Sequence, residues 1–467
     1  MKQSLRVLLV PDYVHWVTGT IAKAIVRFNP WIEGTIVSGQ VLDVVLEQHP
    51  EMMSQFDLVH FVCPYASKQW LPRFQKIMPC VTSHHHVTQW ELVKHNLEGD
   101  MVVVGSDEWG ADLKQRGFPA DRVARVPYGV DATRFTPPSP KDRSEVRREL
   151  KIPDDSIVVG FFGKQSSNDD DRKGIGVFSE AIVNLSREMP KLTAFIIGPG
   201  WQDFVESLRG KGIHCVWLPF IRDNEGLARM YGALDFYWVT AKVEGGPVTL
   251  LEAMSSEVCC ISTPVGLARD LVEDGTNAMM VPIGDAAGFV QRTAELASKE
   301  DKRKRLGCNA RVTILQKMHV GVAVRQFLDV YRRAFEVFAL RNPNAVTPRM
   351  ASLDFDQMAK QWKDEVDIST VAVKKHKVER VPLKGFSPSI QKQISLLENL
   401  DWAEALVLQN QRATALKMIC QEWASHPFSS LPSRRLLRLF LPLSFVTRMV
   451  KWKHSVQGLG RPRTLPD

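Results

Sequence analysis

The 467-residue chain has no uninterrupted apolar run long enough to cross a bilayer, so no transmembrane helix is expected. It has no Cys-x-x-Cys pair. The seven cysteines are odd in number and lie mostly in apolar stretches such as HFVCP and VCCIST, which predicts reduced core thiols rather than disulfides or zinc ligands. The apolar stretch Val7–Val10 is far shorter than a secretory core, and no small-residue cleavage site follows, so no signal peptide is expected. Acidic residues are missing between Glu422 and Asp467, where Arg434, Arg435, Arg438, Arg448, Lys451, Lys453, Arg461 and Arg463 lie. That local excess equals the formal net charge of the whole chain, +8. The remainder is close to balanced, so a general nucleic-acid surface is not implied.

What is present is the composition of a globular protein, 44% hydrophobic and 24% charged, in a chain long enough for two or three domains. Buried-strand runs at 5–11, 56–64, 78–84 and 101–106 alternate with helical patterns. After the proline-rich stretch 126–142 the alternation resumes, with strand runs at 156–163, 191–200, 214–219, 235–241 and 258–264. Such runs predict an α/β protein with two doubly wound, Rossmann-like domains, residues 1–140 and 150–318. Ligands of doubly wound sheets bind at the carboxyl ends of the strands, so chemistry is expected in the cleft between the domains.

Three loops at those strand ends carry the chemistry. GKQSSNDDDRKG (163–174) offers Lys164, Arg172 and Lys173 to a diphosphate. Its triplet Asp169–Asp171 reads as a solvated turn rather than a metal site, and no metal is expected. GPG (198–200) lets the backbone at Gly198 and Gly200 approach a ligand, as a structural turn would also require. EGGPVTLLE (244–252) places Gly245, Gly246, Pro247 and Val248 at a helix N-terminus, where exposed amides accept an anion. Glu244 stands beside that anion site and Glu252 lies within the helix. Two hydroxyl-binding carboxylates around such a site suit a nucleotide sugar.

EGGPVTLLEAM, followed by VCCISTPVG and DLVEDG (270–275), resembles the E-x7-E region of glycosyltransferase family 4, retaining enzymes of the GT-B fold. GKQ…RKG, RVPYGVDATRF and CVTSH match further family segments in order over roughly residues 1–340. The resemblance implies that Lys164 and Lys173 neutralise the donor diphosphate, aided by amides of Gly245–Val248. It implies that Glu252 holds the ribose and Glu244 the transferred sugar, with His84 contacting that sugar from the first domain. No protein nucleophile, metal or cofactor is implied, the nucleotide sugar being a substrate. Tyr128 stands where the family usually has asparagine, and Asp270 where it has glutamate. The first loop has only Gly19 for the usual double glycine near the donor phosphate.

Beyond residue 340 the motifs stop. Helices are expected over 319–370, one of them, favoured at 354–366, crossing back onto the first domain. A linker (371–388) and a basic helical extension (389–467) follow. Within the extension, 433–454 has an apolar core flanked by arginine and lysine, a pattern suited to an anionic membrane surface, to the protein's own surface or to a second subunit. The expected partners are therefore a nucleotide-sugar donor and a glycan or lipid-linked acceptor, with no nucleic acid. The expected place is the cytoplasm, peripheral on the inner face of a membrane. The competing readings are an inactive nucleotide-sugar-binding module and a scaffold that binds polyanions or membrane through its tail.

Overall fold

The computed structural model describes residues 4–365 and 388–425 apart from 15, 65–66, 86–89, 91–93, 166–170, 220, 222–223 and 409–411. Asp169, Asp170, His86, the expected linker save Pro388, and the basic segment 433–454 lie outside the described residues.

Two six-stranded sheets, every pairing parallel, form the two halves of the molecule. The first contains β1 (Leu5–Val10), β2 (Ile32–Ile36), β3 (Leu58–Phe61), β4 (Cys80–His84), β5 (Met101–Val104) and β6 (Val123–Arg125), in the order β2-β1-β3-β4-β5-β6. The second contains β7 (Ile157–Phe162), β8 (Leu192–Ile197), β9 (His214–Leu218), β10 (Phe236–Val239), β11 (Cys259–Ser262) and β12 (Met279–Met280), in the order β12-β11-β10-β7-β8-β9. The continuous apolar runs of the central strands are buried on both faces, with core clusters on both sides of each sheet. This is the expected pair of doubly wound domains.

Three strands lack a counterpart in the sequence reading, β2, β6 and β12, and each is an edge strand. An edge strand need not be apolar on both faces, and β2 carries an exposed Glu33 while β6 ends on an exposed Arg125. The sequences of β2 and β6 therefore do not read as buried runs, and β12 is only two residues long.

The chain passes between domains twice, and the two passages lie side by side. The Val130 amide donates to Met318 O (3.0 Å) and the Val320 amide to Val130 O (2.9 Å). The return is made earlier than expected. Phe327, Val330, Tyr331 and Ala334 of the helix Phe327–Arg341 form a stripe at helical spacing, buried in the first-domain core with Leu5, Val7 and Val103. The helix favoured for this role, within 354–366, packs farther out, its Met358 against Trp31 and Leu328.

Past this point, Pro388–Leu408 and Arg412–Ser425 form a helical hairpin on the first domain. Ile394 is buried with Val37, Val41 and Leu42, and the Glu398 carboxylate accepts the Ser38 amide (2.7 Å) at the start of the helix Gly39–Gln48. Among the described residues no helix is long and apolar enough to cross a membrane.

Candidate active site

Between the domains lies a cavity of about 1660 Å³, where pockets for one small ligand run roughly 300–1,000 Å³. Its second-domain wall is built at the strand ends. After β10 the chain turns through Lys242–Pro247 and enters the helix Val248–Ser255, anchored by buried Leu250, Leu251 and Met254. Glu244, in that turn, faces two cations: Lys173 Nζ at 2.9 Å and Arg172 at 3.6 Å. Both cations sit on a loop fastened to the end of β10, through the Lys242 amide to Arg172 O (2.7 Å) and Thr240 Oγ1 to Lys173 O (3.0 Å). The strand end thus fixes the spacing between carboxylate and cations. Lys164 and Gly198 line the same wall, as do Gly246, Pro247 and Val248.

Glu252 lies eight residues after Glu244 and opens on the same cavity. Tyr231 Oη donates to its Oε2 (2.6 Å). Burial pushes the carboxyl up to about 7, opposed by that hydrogen bond. The tyrosine phenol is itself driven upward by burial and by Glu252, so it stays a donor. The pair puts a polarised carboxyl deep in the cleft, equipped to bind hydroxyl groups.

The remainder of the Asp triplet plays a local part. Asp171 Oδ1 accepts the Ile175 amide (2.6 Å) at the head of the helix Ile175–Glu188, and its other oxygen pairs with Lys242 at 2.8 Å. Among the described residues no group of three His, Cys, Asp or Glu side chains converges as a metal site.

The first-domain wall departs from expectation. His84, assigned to the donor sugar, is fully buried at the end of β4, edge-on to Trp90, and does not line the cavity. Neither ring nitrogen has a hydrogen-bond partner among the described residues, and burial, then His85, pushes its imidazole down to about 4. Side chains alternate along a strand, so the cleft receives Ser83 and His85 instead. His85 Nε2 lies 2.8 Å from Val62 O and its Nδ1 is bonded to the Tyr128 hydroxyl. With Val62 accepting a proton from Nε2, Nδ1 is the acceptor and the Tyr128 hydroxyl the donor.

His85 and Tyr128 press on the Glu244 loop. A Cβ on Gly245 would stand 2.1 Å from His85 O, and one on Gly246 would stand 2.4 Å from the Tyr128 ring. Only glycine permits that approach. Trp109, from the helix Asp107–Gln115, donates its indole N–H to Glu244 O (2.9 Å), and Glu108 accepts the Gly266 amide (2.8 Å). The loop bearing Glu244 is therefore gripped from the opposite domain. Gly19 has another duty than the one expected. It lies inside the helix Val17–Arg27 and off the cavity, where a Cβ would meet the backbone of Tyr13 and Val14 at 2.5 Å.

Sequence reasoning did not assign Trp109, Tyr231 or Tyr128 to the site, and it ranked His85 second to His84. Arg172 carried a signal, standing next to Lys173 in a polar loop. Tyr128 carried another, as a departure from the pattern of the resemblance. Trp109 and Tyr231 carried none, since each reaches its partner, the Glu244 carbonyl and the Glu252 carboxylate respectively, only through the tertiary fold.

With this geometry in place, comparisons with known proteins can be set beside it. Residues 142–313 match the family model of glycosyl transferases group 1. The putative glycosyltransferase EpsD of Bacillus subtilis is 26% identical over 239 residues, covering 50% of this chain and 60% of that protein. A D-inositol 3-phosphate glycosyltransferase of Xylanimonas cellulosilytica is 28% identical over 244 residues, covering 50% of this chain and 57% of that protein. The chain thus spans less than two thirds of the length of these relatives. Among solved structures, Anabaena HepE in complex with UDP and glucose matches with a TM-score of 0.57 at 19% identity, covering 70% of this chain and 99% of that one. Sucrose-phosphate synthase of Thermosynechococcus elongatus matches at 0.56 and 16%, covering 71% and 99%. The fold is GT-B.

Proposed function

We propose that the chain is a retaining glycosyltransferase that moves a sugar from a nucleotide donor to an acceptor hydroxyl without a metal ion. One observation carries the reading. A carboxylate held against two cations, at the head of a helix with open amides, is followed eight residues later by a buried carboxyl that opens on the same cleft. The cations and amides match a diphosphate, and the two carboxyls match the hydroxyls on either side of it. The neighbour HepE was solved with UDP and glucose, and the matched relatives are named as glycosyltransferases.

In this reading Lys164, Lys173 and the amides of Gly245, Gly246 and Val248 hold the diphosphate, Glu252 the ribose and Glu244 the sugar. The bond from the anomeric carbon to phosphate oxygen breaks as the acceptor oxygen bonds to that carbon on the same face. The acceptor proton passes to the departing phosphate oxygen. Lys173 and Arg172 stabilise the charge that develops there. The acceptor is a glycan or lipid-linked glycan, and the basic segment 433–454 holds the enzyme to an anionic membrane surface on the cytoplasmic side.

The test is a thermal-shift panel of UDP, GDP, ADP and their sugar conjugates, in EDTA, on wild type and Glu252→Ala. A ligand of the folded state alone raises the melting temperature. One nucleotide family stabilising wild type, and Glu252→Ala much less, is the expected result. No shift from any of them would overturn the donor assignment. Co-sedimentation with anionic vesicles, with and without residues 427–467, tests the membrane role separately.

A further inference from the structure

We infer that the hairpin 388–425 forms one wall of the acceptor half of the cleft and binds the neutral, hydroxyl-rich end of a glycan acceptor. The inference rests on the donor reading above for which half of the cleft is which. Three observations lead to it.

The first is position. Gln391, Lys392, Ser395 and Asn399 line the same cavity as Glu244 and Glu252, as does Glu422 from the second helix of the hairpin. The hairpin belongs to neither sheet. It follows both sheets in the chain, so this wall is added after the two doubly wound domains.

The second is rigidity. A surface hairpin that merely lay near the cleft would make no defined site. This one is pinned to the first domain by buried Ile394 and by Glu398, whose carboxylate is 7% exposed and accepts the Ser38 amide at 2.7 Å. A second tie runs between its helices, from Asn399 Nδ2 to Glu422 Oε1 (2.8 Å). The helix divides cleanly by face. Ile394, Leu396, Leu400 and Ala403 are buried, whereas Lys392 and Ser395 are exposed and Asn399 half-buried. Lys392, Ser395 and Asn399 stand at i, i+3 and i+7, so they form one stripe along the cavity.

The third is chemistry. The stripe and Glu422 together offer an amide, a hydroxyl, an ammonium and a carboxylate. A polyphosphate calls for several cations, and an acyl chain calls for none of these groups. A polyol, which both donates and accepts at every hydroxyl, satisfies a mixed set. The cavity also exceeds the volume that one small ligand fills, which leaves room for an acceptor beside the donor.

The experiment is isothermal titration of the full chain with maltose, lactose and cellobiose, and with glucose 6-phosphate as the anionic arm, in the absence and presence of UDP. Wild type is compared with Ser395→Trp, which adds bulk at an exposed position, and with Asn399→Leu. At least one neutral disaccharide should bind wild type, with roughly tenfold weaker binding to both variants, as loss of hydrogen bonds predicts. UDP affinity should stay unchanged in both, which also shows them folded. Equal disaccharide binding by all three proteins would overturn the inference. So would binding of glucose 6-phosphate alone, or of none of the sugars. If none of UDP, GDP and ADP binds wild type while the disaccharide pattern holds, the donor reading falls and the hairpin site stands.

Discussion

The two walls of the cleft are built on different plans. The second-domain wall is local in sequence and charged: Lys164, Arg172 and Lys173 share one loop, and Glu244 and Glu252 share one turn and helix. The first-domain wall is aromatic and assembled. His85 follows β4, Trp109 lies in the helix after β5, and Tyr128 lies on the passage between domains. In the second-domain wall, each group of charges follows from residue spacing along a single strand-to-helix connection, the one after β7 or the one after β10. In the other, three segments must be brought together by the sheet before any of them means anything.

The charged wall should break hardest. Lys173→Ala removes the cation 2.9 Å from Glu244, with Arg172 staying at 3.6 Å. If Lys173 stabilises the leaving diphosphate, kcat should fall by about 10²–10³, as for loss of one preorganised charge donor. Initial rates of donor consumption measure it. A fall of less than about tenfold would move the centre of the chemistry off this wall.

Next in size is the acid buried behind it. Glu252 is pushed from 4.5 up to about 7 by burial. Between those values the unfolded chain releases its proton and the folded chain keeps it. Stability is therefore lost as pH rises from 4.5 to about 7 and stays at the lower level above. The size of the loss is about 3 kcal/mol by linkage. Glu252→Gln should remove that component and melt higher than wild type at pH 8, while binding UDP less well. Chemical denaturation at pH 5 and pH 8 reads it, and the same pH slope in both proteins would sink the assignment.

The grip between the walls comes third. Trp109→Phe keeps the ring and deletes the N–H that donates to Glu244 O. One such hydrogen bond contributes about 1 kcal/mol. If it positions Glu244, donor affinity should weaken about fivefold while Glu252 still titrates as before. If Trp109 only packs, the donor titration will not move.

This contrast explains what could be read from the chain. The strands with β-branched runs, both carboxylates and the flanking lysines were legible because one periodicity or one spacing encodes each. The edge strands β2 and β6 were not, since partial exposure mixes polar residues into them, and β12 was not because two residues make no run. Gly19 looked like a phosphate-loop glycine because no sequence shows that the Tyr13–Val14 backbone crosses over it. The return helix was misplaced because two neighbouring segments both have helical patterns. Only the packing shows that Phe327, Val330, Tyr331 and Ala334 complete the first core.

The histidines give the smallest effect on activity and the sharpest test of the comparison. TSHHH offers three imidazoles in a row, and the strand's period of two decides which faces the cleft. His84 is buried with both nitrogens lacking partners among the described residues, whereas His85 bridges Val62 O and Tyr128 against the Glu244 loop. A buried polar group without a partner costs about 1–3 kcal/mol, which an apolar side chain of similar size does not. His84→Leu should therefore leave donor turnover within about twofold and raise stability by roughly 1 kcal/mol. His85→Leu strips the partner from the Tyr128 hydroxyl, so it should lose both stability and turnover. Thermal denaturation and initial rates of the two variants, measured side by side, decide which residue belongs to the site. If His84→Leu were the one that abolished turnover, the register of β4 at the cleft would have to shift by one residue, and the aromatic wall would have to be redrawn around it.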